Sequence, residues 1–311
     1  SLKNYGKSIR CIESIEDCTD SLACNYNPEA NFDDGSCEYS CYEPPLDYSL
    51  IFDGDDYVDL GNSDIFNFGS NDFTISLWAS IEPTNNWEGL IGKGYYSDQP
   101  NHFSLRRTDQ NIIRFSAGSG QNNPYNLECN DEFLSSTKLK NIILRKLGNQ
   151  YSIYIDGNIC AEASFENIII DNEENLILGV GNLATLGNEM LDGTIDDVLI
   201  FNQALDNEGI SLLKNSEIPV QFESNLIAHY KFNQGPDGEY PNNLIDHSGN
   251  QNHGTIHGAI WQQNIYGCTD YLAYNYDLEA AYDDGNCQYD NNGEYSLDFD
   301  GQDDYVSSNI N

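Results

Sequence analysis

Basic residues are scarce in this 311-residue chain. Thirteen Lys and Arg stand against 51 Asp and Glu, a formal charge of −38. So acidic a surface repels phosphate backbones and anionic headgroups, which excludes nucleic acid as a partner. Long apolar runs are missing too. No stretch approaches the ~20 residues that a membrane helix needs, so no membrane insertion is expected in this segment. Catalytic strings are also absent. There is no GxSxG elbow, no HExxH site, and no ExDxE or ExDxxE string to supply the paired carboxylates of a glycoside hydrolase. The chain therefore reads as non-enzymatic. Thiols in CxxC spacing do not occur, which argues against zinc. The first residue is Ser and the last lies just inside a recurring motif, so both ends read as cuts in a longer polypeptide.

What is present is a repeat. CTDSLACNYNPEANFDDGSCEY (Cys18–Tyr39) returns as CTDYLAYNYDLEAAYDDGNCQY (Cys268–Tyr289). YSLIFDGDDYV (Tyr48–Val58) returns as YSLDFDGQDDYV (Tyr295–Val306). Cys18 to Cys268 is 250 positions and Asp53 to Asp300 is 247, so the two strings recur in order at nearly one period. A tandem array with a unit of about 250 residues accounts for both.

The repeat also constrains the nine cysteines. The second copy keeps Cys268 and Cys287, matching Cys18 and Cys37, which predicts disulfides Cys18–Cys37 and Cys268–Cys287. Tyr274 replaces Cys24 and Asn291 replaces Cys41, so Cys24–Cys41 is expected as a pair lost together. Cys129 and Cys160 form a further expected pair on neighbouring strands, and Cys11 is left over. Such pairing implies an oxidising compartment: extracellular, secreted or at the cell surface. The acidity suits a saline exterior, divalent cations, or solubility alone.

Along the chain, residues 1–17 read as the end of a preceding repeat segment. Residues 18–41 form an acidic module too small to fold without staples. From 47 to 216 the text is β. Phe73, Ile75, Leu77 and Ala79 alternate with Thr74, Ser76, Trp78 and Ser80, and turns such as Asp156-Gly157-Asn158 separate the runs. Many short strands predict an all-β, antiparallel β-sandwich with small disulfide-stapled modules in tandem repeat. One short helix is expected after Leu205, capped by Asp206, with Ile210 and Leu213 inward. Residues 225–262 read as the opening segment of a following unit, or as a strand exchanged with a neighbour's open edge. Residues 267–290 are the second cystine module, and 295–311 start another sandwich.

FDGDDYV, FTISLWAS (Phe73–Ser80), LIGKG (Leu90–Gly94), YSIYIDG (Tyr151–Gly157), LILG (Leu176–Gly179) and DGTIDDVLIFNQAL (Asp192–Leu205) occur in this order. Together they resemble the concanavalin A-like, laminin-G-type jelly roll of secreted multidomain proteins. The cystine string resembles the CTDxxAxNY…DDGSC modules of large secreted bacterial surface proteins of the Bacteroidota type. The first resemblance implies a structural calcium where an early strand meets a late one, at Asp53, Gly54 and Asp55 with Asp196 and Asp197. In the modules, Asp20, Asn25, Asp33 and Asp34, with Asp270, Asn275, Asp283 and Asp284, are further candidate ligands, since a hard cation takes several oxygens from turns. Trp87, Tyr95, Tyr96 and Tyr125 are candidate platforms for stacking on a sugar. The expectation is a non-catalytic extracellular structural or adhesive repeat protein, a calcium-braced array that associates with neighbouring repeats or copies into a fibre. The alternative is a carbohydrate-binding, lectin-like targeting module that contacts glycans or cell surfaces.

Overall fold

The structure is a computed structural model that describes residues 14–42, 47–82, 86–94, 101–118, 125–130, 139–181, 189–236, 241–268, 270–280 and 282–289. The expected sandwich start at 295–311, Cys11 and most of 1–17 lie outside the described residues.

The strands, in chain order, are β1 (Glu16–Asp17), β2 (Phe32–Asp33), β3 (Tyr48–Asp53), β4 (Tyr57–Asp59), β5 (Phe73–Ile81), β6 (Glu88–Lys93), β7 (Phe103–Arg107), β8 (Ile113–Ala117), β9 (Tyr125–Cys129) and β10 (Lys140–Leu147). They continue with β11 (Gln150–Ile155), β12 (Asn158–Ser164), β13 (Leu176–Leu178), β14 (Asp192–Phe201), β15 (Leu226–Tyr230), β16 (Asn243–Leu244), β17 (Gly254–His257), β18 (Ile260–Gln263), β19 (Tyr266–Gly267) and β20 (Tyr282–Asp283). Two antiparallel sheets form the sandwich. One runs β12-β11-β10-β5-β14-β3-β18, with β15 also on β14. The other runs β16-β17-β4-β13-β6-β7-β8-β9.

Alternation sets the core as the sequence predicts. Phe73, Ile75, Leu77 and Ala79 of β5 enter the space between the sheets with Phe52, Phe66, Phe103, Phe115 and Tyr151. Thr74 and Ser76 point to the other face yet are also buried, because that face is covered in turn. The helix α1 (Asn207–Leu213) starts at Asp206, whose carboxylate accepts the Gly209 amide at 2.8 Å. Ile210 and Leu213 then pack on Ile143, Tyr154, Leu199 and Phe201 in a second, smaller core. Strands buried on both faces lose the polar half of their pattern, which explains the continuous apolar run Ile142–Leu144.

Segment 225–262 departs from the sequence reading. It pairs within this chain and completes this sandwich rather than opening a following one. β15 pairs with the second half of β14, from Val198↔Tyr230 to Phe201↔Leu226. β18 pairs with β3, and β17 with β4. The physical reason lies in the edges. β3 covers only Asp192–Ile195 of β14, so the rest of β14 and the outer sides of β3 and β4 present unpaired ladders. Ile227, Ala228, Tyr230 and Phe232 fill the adjoining core. The sandwich therefore runs from Tyr48 to Gln263.

All four expected disulfides are present. Cys129–Cys160 joins β9 to β12, the edge strands of the two sheets, with Cα atoms 5.4 Å apart. Cys18–Cys37, Cys24–Cys41 and Cys268–Cys287 staple the modules. Apart from the Cys24–Cys41 bridge, which only the first has, the two modules share their main contacts. Parallel β1–β2 matches β19–β20. Asn25 clamps Ser36 and Glu38 as Asn275 clamps Asn286 and Gln288. Tyr39 donates to Asp20 at 2.6 Å, and Tyr289 to Asp270 at the same distance.

Candidate ligand cleft at the joint with the second cystine module

The outer face of the first sheet is covered by α1 at one end and opens at the other. The opening lies where β14 breaks its ladder. Asp196 sits opposite Trp78 of β5, and pairing resumes only at Leu199 opposite Ser76. Asp197, inside this bulge, has φ 41°, a left-handed conformation that a non-glycine residue adopts at a cost. Bulges of this kind re-aim side chains beside functional sites. Here the bulge delivers two consecutive carboxylates to the edge of one cleft.

The cleft has a volume of about 760 Å³, within the usual range of small-molecule sites. Asp47, Trp78, Asp196, Asp197, His229, Lys231, Tyr266 and Tyr282 are among its walls. A smaller hollow of about 260 Å³ adjoins it, sharing Leu139 and Tyr282. The sandwich supplies the floor and the second module supplies one side. The Tyr266 and Tyr282 rings stack with centroids 4.8 Å apart. Tyr282 donates to Asp196 Oδ2 at 3.2 Å and Tyr266 donates to Asp47 Oδ2. Asn264 bridges Asp47 and Asp196, at 3.0 Å to each. Burial, reinforced by these carboxylates, pushes both tyrosine hydroxyls well above their ordinary value, so they remain donors.

The two bulge acids differ. Asp196 is 7% exposed, and burial, then the charge of Asp47, pushes its carboxyl well above the ordinary 3.8. Asp197 Oδ1 lies 3.3 Å from His229 Nε2, while its Oδ2 is buried with no partner. Across the strand, the Trp78 Nε1–H is also buried with no partner. Both residues stand on the wall of one cleft, and each orphaned atom costs roughly 1–3 kcal/mol. Both atoms are shut off from solvent as the side chains stand, so a ligand that donates and accepts reaches them only when these side chains turn toward it.

Asp196 yields a pH prediction. A carboxyl with a raised folded value binds its proton more tightly when folded. Its stabilisation is complete below 3.8 and is lost as pH rises from there through the folded value. Asp196→Asn keeps one acceptor for Asn264 and Tyr282, gives up the one for the Asp197 amide, and removes the pH-dependent loss. The melting point of the variant relative to wild type should therefore rise as the pH goes from about 3.8 to neutral. Equal gaps between the two melting curves at both pH values would contradict the assignment.

The sequence-based sites fare unevenly. Asp53 and Asp196 do not meet, because Asp53 pairs with Asp192 and the register carries Asp196 four positions along β14. Asp53 and Asp55 gather instead with Asp56, their ligand oxygens within 4.8 Å of one another, while the Gly54 amide donates to Leu191 O. In the first module, Asn25 and Asp34 hold backbone amides and Asp33 accepts from Gly35. Asp20 accepts from Leu22, Tyr39 and His253. Among the described residues, Asp20, Asp33 and Asp34 do not converge as a ligand set. Asn275 and Asp284 play the same backbone roles in the second module, and Asp270 takes the Leu272 amide; Asp283 lies in β20. Trp87 is stacked by the guanidinium groups of Arg106 at 4.7 Å and Arg114 at 4.8 Å, so its face is taken. Tyr125 packs on Phe165 at 5.2 Å. Tyr95 and Tyr96 lie outside the described residues. Sequence reasoning missed Trp78, Tyr266 and Tyr282. The available signal was the Asp196-Asp197 doublet, which interrupts the alternation of β14.

A two-sheet antiparallel sandwich with a ligand-sized cleft on one outer face is a jelly-roll domain of concanavalin A-like architecture. Residues 52–211 match the sequence profile of the concanavalin A-like lectin/glucanases superfamily, and the chain belongs to that family. A Bacteroides ovatus protein described as a proposed carbohydrate binder shares its fold, with a TM-score of 0.55 and 14% identity over 70% of this chain. The match spans 60% of that protein's length. The CBM40 domain of a Ruminococcus gnavus sialidase aligns at TM-score 0.39 and 16% identity, over 47% of this chain and 84% of that one. The binding domain of botulinum neurotoxin DC aligns at 0.37 and 17% identity, over 47% and 36%. No curated protein sequence matches the chain.

Proposed function

We propose that this chain is a non-catalytic, extracellular carbohydrate-binding segment whose glycan lies in the cleft between β5, β14 and the second cystine module. The observation that carries the reading is the cleft itself, walled by Trp78, Asp197 and the stacked Tyr266 and Tyr282. A sugar hydroxyl donates and accepts at once, and a sugar face suits an aromatic wall. The family and the Bacteroides ovatus fold relative support the same class. Four disulfides support an oxidising, extracellular setting. No helix among the described residues is long and apolar enough to cross a membrane. The test is a glycan array probed with the full chain. Binding of a defined glycan that is recovered intact is expected, and an array without hits, or cleavage of the bound glycan, would overturn the reading.

Calcium belongs to the same proposal, at the turn holding Asp53, Asp55 and Asp56. The donor set fits a hard cation: three carboxylates lie close together. A hydrogen bond to Asp53 and its charge raise the Asp55 carboxyl, and burial, with the Asp53 charge adding to it, raises that of Asp56. A cation relieves such crowding. Calcium at a hundredfold excess over its Kd should stabilise the chain by roughly 2.7 kcal/mol over a chelator-treated sample. Superimposable melting curves would remove calcium from the account.

A further inference from the structure

The two cystine modules share one architecture but dock through different faces. The first uses its cystine face. Cys18, Ala23 and Tyr39 pack with Ile245 of the sandwich. Asp20 meets His253 Nε2 at 2.6 Å, Gln251 donates to Asp33 at 2.7 Å, and the Tyr39 ring lies edge-on to His253 at 5.2 Å. The second module uses its ribbon face, placing Tyr266 and Tyr282 against Asp47 and Asp196.

The large side chains of each docked face are exposed in the other module, while Cys268 and Ala273, the counterparts of Cys18 and Ala23, stay buried. Tyr39 is 5% exposed, whereas its counterpart Tyr289 is 55% exposed. Leu22 packs into the first docking core, whereas Leu272 is 68% exposed beside exposed Tyr271 and Tyr274. Conversely, Phe32, the counterpart of docked Tyr282, is 60% exposed. Such a run of bare aromatics on a small module is unlike a solvated surface.

From this we infer that the cystine module is a two-sided joint, and that the bare face of the second module receives the 245–253-type loop of a further sandwich of the same kind. The occupant follows from the repeat itself. The same face, 250 positions earlier, is covered by Ile245, Gln251 and His253 of the sandwich that follows it in sequence. The FDG string at Phe299–Gly301 stands after the second module as Phe52–Gly54 stands after the first. Tyr48 pairs with Gln263, so both modules leave the sandwich at the same end. An array built on this rule has a spine of modules with sandwiches projecting from it, and one Asp47–Asp196 cleft at every joint. Repeated clefts multiply weak binding into avidity.

The test extends the full chain from Glu294 with a second copy of residues 48–311, where the YSL string recurs. Hydrogen exchange is read on peptides spanning 270–274 and 286–289 against the 311-residue chain. The expected result is two isotopic envelopes, one exchanging at the single-chain rate and one at least tenfold slower. Leu272→Glu in the linking module should collapse the slow envelope. One envelope at the single-chain rate, with β14 peptides of both copies protected, would overturn the inference. A second measurement needs no second sandwich. Leu22→Glu in the full chain unseats the first module and bares the loop at 245–253. That chain should then associate head to tail in sedimentation, and adding Leu272→Glu should return it to monomer. An L22E chain whose loop exchanges freely yet stays monomeric at high concentration would overturn it equally.

Discussion

Replacing Arg107 with alanine is expected to destabilise the chain by roughly 3–5 kcal/mol, the largest single loss of any exchange considered. Arg107 lies opposite Glu88 in the β6–β7 pair. Its guanidinium meets Glu88 Oε1 at 2.9 Å, with side chains 0% and 2% exposed, and it also donates to Asn111 at 3.1 Å. Removing the cation strands a buried carboxylate, and in a sandwich of this size the melting point should fall by ~10 °C or more. The neutral pair Glu88→Gln with Arg107→Met should recover much of the loss, because it removes both desolvated charges together. Thermal melts of the three proteins decide the matter. A double variant as unstable as R107A would show that packing, not charge, is at stake.

Trp78→Ala is expected to weaken glycan binding by roughly 10–100-fold, which is ~1.4–2.8 kcal/mol. The substitution removes the indole wall and the orphaned donor together. The donor has no partner in the free protein, so its own loss costs folding little, and the cost to stability comes from the half-buried ring. Trp78→Phe keeps the wall without the N–H and should fall between the two. Calorimetric titration of the three proteins separates stacking from hydrogen bonding. Trp87→Ala should leave affinity near wild type, since Arg106 and Arg114 already occupy that ring.

How much of this was legible beforehand varies with the range of the interaction. Phe73 to Ala79 announced a strand with one face in the core, because alternation is local. The cystines were legible because the chain carries its own second copy, and Tyr274 and Asn291 mark which thiols travel together. Segment 225–262 was misplaced because strand text shows which residues face a core but not whose open edge they join. The cleft was the least legible part. Trp78, Asp196, His229 and Tyr282 span more than two hundred positions and meet only through the bulge in β14 and the docking of a module. Trp87 was overvalued for a related reason: its two arginines come from other strands, β7 and β8, so nothing in its own neighbourhood shows the ring to be covered.

The most direct measurement follows the Trp78 indole N–H resonance in the full chain while the strongest glycan from the array is added. The account predicts a saturable shift at Trp78 with a matching change at Tyr282, and no shift at Trp87. Binding that moves Trp87 and leaves Trp78 untouched would place the site on the opposite sheet and contradict the account.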